Sequence, residues 1–137
     1  VIIGDGPERE SLELLAEENN TEVIFTGRLE GNQLWAWYNV ADVFMLLSFQ
    51  EPFGAVVNEA LLAGCKCIVS EKAGSQCLVE NDKNGYVVNP TDLENIAQKM
   101  LMCPVEPAVK LNALRDNQMR YSYTFVMNQL INHLRKL

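Results

Sequence analysis

The sequence predicts an α/β fold, a doubly wound parallel sheet with helices on both faces. Short apolar runs alternate with segments of amphipathic helical spacing, and Gly or Pro marks most of the junctions between them. Strands buried on both faces need no polar alternation and read as continuous Val, Ile and Leu, whereas the helices that cover them show one apolar stripe. The length of 137 residues, with 48% hydrophobic and 21% charged side chains, suits one globular domain with one core.

Val1, Ile2 and Ile3 form the first strand, ended by the turn Gly4-Asp5-Gly6-Pro7. A helix follows from Glu8 to Asn19, with acidic residues at its positive end and Leu12, Leu15 and Ala16 on one face. Val23 to Thr26 is a short strand closed by Gly27-Arg28, and Leu34 to Asn39 is a helical turn or two with Trp35 and Tyr38 near one side. Val43 to Leu47 is too short for a helix and reads as a central strand. Helical spacing returns from Ala55 to Ala63 and stops at Gly64. Cys67 to Ser70 is the next strand, residues 73–84 are loop around a short helix, and Gly85 to Val88 is the last strand. Thr91 and Glu94 have capping-box spacing, and Leu93, Ile96, Ala97, Met100 and Leu101 then trace one buried helix face. Helices over 107–120 and 124–137 complete the chain.

A formal charge of −7 without clustered Lys or Arg argues against a nucleic-acid partner, whose phosphates are neutralised by such clusters. No apolar run approaches the roughly 18 residues that cross a bilayer, and no signal segment opens the chain, so the expected compartment is the cytoplasm. The 4 cysteines lack zinc spacing, since Cys65 and Cys67 flank a strand and Cys77 and Cys103 stand alone; buried free thiols are expected. The chain starts inside a strand pattern without Met and reads as a piece of a longer protein.

Ligands on parallel sheets bind at the carboxyl ends of the strands. The loops there are Gly4 to Pro7, Gly27 to Gly31, Ser48 to Gly54 and Glu71 to Gln76, and the third is the densest in unusual choices. Pro52 keeps Glu51 extended, because a residue before proline is disfavoured in the helical region. Phe53-Gly54-Ala55 then opens a helix whose first amides are unpaired and suit an anion such as a diphosphate. Glu59 follows about one turn later, where a carboxylate can accept bonds from vicinal sugar hydroxyls. Singly, Glu51 reads as a solvated loop acid and Glu59 as a first-turn acid; together, around Pro-Phe-Gly at a strand-to-helix switch, they point to a site.

These residues resemble the retaining glycosyltransferases of GT-B architecture, the glycosyl transferases group 1 family. Its signature of two Glu separated by seven residues stands here as Glu51, Phe53, Gly54, Glu59, Ala60 and Gly64. IIGDGPE at the start, VIFTGR from Val23, ADVFMLLS from Ala41 and NGYVV from Asn84 match in order and spacing. The resemblance implies a Rossmann-like half of a GT-B fold, its first strand and helix missing, that binds the donor as the C-terminal domain of a longer enzyme. It implies that Glu51 contacts the donor sugar near the reacting centre as the catalytic acid residue, that the amides of Phe53, Gly54, Ala55 and Val56 hold sugar and phosphate, and that Glu59 binds the ribose. Arg28 is then expected beside the base and Ser75 at the ligand. The donor is expected to be a UDP- or GDP-linked sugar, used with no metal or other cofactor and with retention of configuration, in polysaccharide or glycoconjugate synthesis.

The family's Gly-Gly-x-x-Glu loop reads Ala73-Gly74-Ser75-Gln76-Cys77, with Cys77 in place of the acid. The Arg and Lys that neutralise the donor diphosphate are expected upstream of Val1, and the acceptor is expected on a missing N-terminal domain. Arg9, Lys72 and the single histidine, His133, read as surface or packing residues. With the central strand missing, Val1 to Ile3 and Val43 to Leu47 are expected to pair with one another or with a second copy. The longer protein is expected to be membrane-peripheral. A non-catalytic nucleotide-sugar-binding module and a nucleotide-sugar epimerase on the same scaffold are the alternatives, and the second lacks an evident acid-base cluster.

Overall fold

The computed structural model describes residues 1–103 and 116–135. They group into two compact units, Val1–Trp37 and Tyr38–Leu137. In the first, β1 (Ile2–Ile3) and β2 (Phe25–Gly27) pair in parallel around α1 (Arg9–Glu18). The Ile2 amide donates to the carbonyl of Ile24 at 2.9 Å, so pairing starts later along the second run than its apolar onset at Val23 suggests. The next helix, α2 (Gly31–Val40), is longer than the one or two turns expected and enters the second unit at Tyr38.

The second unit holds a parallel sheet in the order β3 (Val43–Leu46), β4 (Lys66–Ser70), β5 (Gly85–Val88). Between these strands lie α3 (Ala55–Leu62) and a 3-10 turn over Gly74–Leu78, and after them α4 (Leu93–Met102) and α5 (Tyr123–Leu134). Ile68 of β4 packs with Tyr86, Val88, Ile96 and Cys103, and Val43, Met45 and Leu47 press against this cluster. Strand residues alternate in direction, so Cys67 and Val69 face the other way; both are fully buried, as are Val57, Ala60 and Leu61 of α3, which packs on β4. The expected α/β class with helices flanking parallel strands is the class found.

Two expectations change. Asp92, and not Thr91, caps α4: its carboxylate accepts from the Asn95 amide at 3.0 Å, while the Thr91 hydroxyl donates to Asn89. Of the apolar face expected on α4 only Ile96 is buried, whereas Leu93 is 75% and Leu101 88% exposed. Helical spacing fixes which residues share a face and leaves open whether another layer meets it. Most of the helix expected over 107–120 lies outside the described residues, and residues 116–120 carry no regular structure.

Cys65, Cys67 and Cys103 are buried free thiols as expected, and Cys77 is exposed. Lys66 donates to the Lys83 carbonyl and to Gln118 Oε1 at 2.9 Å. The Gln118 amide donates to the Leu61 carbonyl at 2.7 Å, and Asn84 Nδ2 donates to the carbonyl of Gln118 at 2.9 Å. One polar cluster thus ties α3, β4 and the approach to β5 to a segment far along the chain.

Candidate functional site

The site forms where two neighbouring parallel strands end. The ladder between β3 and β4 runs to Leu46 opposite Val69, opens, and resumes as a single parallel bridge between Glu51 and Ala73. The Gly74 amide donates to the Glu51 carbonyl at 3.0 Å and the Ser75 amide to the Phe53 carbonyl at 2.6 Å. A Cβ at Gly74 would collide with the Pro52 carbonyl, so the two loops meet backbone to backbone.

Gly54 turns the chain into α3. Its φ of 83° lies in the left-handed region, and a Cβ there would fall 2.6 Å from the Leu46 side chain and 2.9 Å from Ser75 Oγ. No side chain caps α3. Ala55 is exposed and Val56 half-buried, and the amides of a first turn have no intrahelical acceptor. The Val57 amide is taken by the Gly54 carbonyl at 3.1 Å. Phe53 is 48% exposed, and its amide donates to Glu51 Oε1 at 3.2 Å. The carboxylate of Glu51 therefore folds back over the turn that opens α3.

Ser75 is fully buried beneath Gly54, and its hydroxyl has no hydrogen-bond partner among the described residues. It underlies the loop that joins β3 to α3. Glu59, half-buried on α3, accepts from the Tyr38 hydroxyl at 3.3 Å. Tyr38 is 3% exposed, its ring lies edge-on to Phe44 at 5.7 Å, and its carbonyl accepts from the Cys65 thiol at 3.1 Å. Burial first, and then the Glu59 carboxylate, push its ionisation well above the usual tyrosine range, so the group remains a donor. Sequence reasoning placed Tyr38 on a helix side and missed this bond, which joins residues 21 apart in the chain. Arg28 belongs to the first unit, exposed and paired with Glu30 at 2.8 Å. Arg9 pairs with Glu13 at 2.8 Å, Lys72 pairs with Glu71 at 3.0 Å, and His133 is exposed on α5.

Adjacent parallel strands that end in a left-handed glycine and an uncapped helix make a setting for an anion, and the two flanking carboxylates can accept from hydroxyl groups. The family model for glycosyl transferases group 1 matches residues 1–104. The chain belongs to this family. It is 36% identical over 102 residues to the sulfoquinovosyl transferase SQD2 of Arabidopsis thaliana, covering 72% of this chain and 20% of that protein. An uncharacterized glycosyltransferase of Methanocaldococcus jannaschii is 30% identical over 138 residues, covering 96% of this chain and 35% of its own length. The C-terminal domain of a glycosyl transferase group 1 family protein, LpcC, from Francisella tularensis superposes with a TM-score of 0.64 at 25% identity, covering 89% of this chain and 62% of that one. The chain thus spans about a fifth to a third of the length of the curated relatives it matches. Within the glycosyl transferases group 1 match lie Glu51, Gly54, Glu59 and the Ala73–Cys77 loop. None of the helices among the described residues is long and apolar enough to cross a membrane.

Proposed function

We propose that this chain is the donor-binding part of a longer glycosyltransferase that moves a sugar from a nucleotide-sugar to an acceptor with retention of configuration. The observation that carries the reading is the start of α3: the exposed Ala55 and half-buried Val56 follow a left-handed glycine, with Glu51 before them and Glu59 after. A departing diphosphate gains negative charge in the transition state, and prepositioned amides at Ala55 and Val56 stabilise that charge without reorganising. Glu51, held over the same turn, faces the sugar, whose reacting carbon becomes electron-poor. Glu59 accepts bonds from the ribose hydroxyls. No metal takes part, and the acceptor is bound by a domain outside these residues.

In the full-length protein, Glu51→Ala is expected to abolish sugar transfer while nucleotide affinity stays within about threefold, a factor worth under about 1 kcal/mol. A thermal-shift panel of UDP-, GDP- and ADP-sugars identifies the donor, since a ligand of the native state raises the melting temperature. The absence of any shift would sink the proposal. One observation favours a second reading, a non-catalytic nucleotide-sugar module: Cys77 is exposed and takes the place of the family's acid. Transfer by the wild-type protein that disappears in Glu51→Ala eliminates it. Self-association through the outer edges of β1 and β3, and a peripheral membrane location, complete the proposal; sedimentation of the full-length protein with and without vesicles tests both.

A further inference from the structure

We infer that Tyr38 is a positioning residue for Glu59, fixing the carboxylate by one oxygen so that the other is presented to a vicinal diol. The inference rests on the reading of Glu59 as a ribose ligand. The Tyr38 hydroxyl donates to Glu59 Oε2 at 3.3 Å, and Oε1 has no hydrogen-bond partner among the described residues. A half-buried Glu on a helix otherwise samples several rotamers, and each costs alignment when a ligand must be met by a particular oxygen.

Tyr38 is itself held by its surroundings. Its ring is buried, Phe44 of β3 meets it edge-on at 70°, and the Cys65 thiol donates to its carbonyl. Cys65 precedes β4, so the element that carries Glu59 and the two strands that end at the site share one anchored aromatic group. The hydroxyl has no role in the packing of the ring, which a Phe side chain would reproduce. Its bond to Glu59 is the feature that packing leaves unexplained.

The test uses full-length wild-type, Tyr38→Phe and Glu59→Ala proteins, titrated with UDP, GDP and ADP and with their 2′,3′-dideoxy counterparts. Far-UV circular dichroism checks that each variant keeps the fold. For the nucleotide that binds, the wild type is expected to prefer the ribose form by about tenfold or more, on the order of one charge-assisted hydrogen bond, and Glu59→Ala is expected to erase the preference. Tyr38→Phe is expected to weaken the ribose form by about three- to tenfold and to leave the dideoxy form unchanged. A Tyr38→Phe protein that retains the full preference, or that weakens both forms equally, overturns the inference while the ribose reading stands. A preference absent from the wild type, or surviving in Glu59→Ala, overturns that reading and the inference with it.

Discussion

Residues Val1–Trp37 and Tyr38–Leu137 use the same alternation of strand and helix, yet only the second builds a dry interior. No residue of the first unit is buried: Ile2, Leu12, Leu14, Leu15 and Ile24 all keep more than a third of their surface in water. In the second, Leu61, Ile68, Val57 and Val69 are fully buried. The difference lies in strand number and cover. Two short strands leave an apolar side chain with few neighbours, whereas β4 has a strand on each edge and helices packed against it. Local patterning is therefore equal in the two units while packing energy is not, and the candidate loop is mounted on the well-packed one.

The sharpest way to break this contrast is at Gly85, where a Cβ would collide with the backbone of Cys67 in β4. Gly85→Ala is expected to cost about 3–5 kcal/mol, because backbone on both sides must move, and denaturant melts should show the second unit opening. A loss under about 1 kcal/mol would mean that β4 and β5 are not packed as described. Next in size is the pair Ile68→Ala and Leu15→Ala. Removing the fully buried Ile68 side chain should cost about 2–5 kcal/mol, and removing Leu15, 53% exposed, about 0.5 kcal/mol or less. Equal losses would show that the first unit buries Leu15 after all.

A smaller effect distinguishes the helix starts. Asp92→Ala should destabilise by about 1 kcal/mol, whereas Thr91→Ala and Glu8→Ala, at positions whose side chains cap nothing, should stay within about 0.5 kcal/mol. Alkaline titration adds a further sign. Burial raises the ionisation of Cys67 and Tyr38 above their ordinary values of 9.0 and 10.0. Folding thus favours the protonated forms; this contribution is complete below those values and is lost as the pH rises past them, while the unfolded chain ionises first. The melting temperature should fall between about pH 8 and about pH 11, and less steeply in Cys67→Ala; an unchanged slope would remove Cys67 from the account. The smallest expected change is Ser75→Ala, which removes a buried hydroxyl without a partner and should be neutral to about 1 kcal/mol stabilising in calorimetry.

Much of the site was legible because its features are local. Pro52 and Gly54 dictate backbone conformation by their own chemistry, and Glu51 and Glu59 are placed by their distance from that turn. The alternative contacts were not legible, since each depends on a residue remote in sequence. Ser75 lies under Gly54 because the loops after β3 and β4 meet, Glu59 is held by Tyr38 of α2, and Lys66 reaches Gln118. The exposed face of α4 failed for the same reason, as periodicity carries no information on the layer opposite.

By itself the sequence determined the α/β class, the order of the strands and helices, and the turn at Glu51 to Gly54, all set by side-chain period and by the steric limits of Gly and Pro. Tertiary structure alone decided which unit acquires a core, which oxygen of Glu59 is held, and that Ser75 supports the loop from beneath. Those outcomes follow from the approach of segments many residues apart, and the free energy of such contacts is absent from any window of the chain read alone.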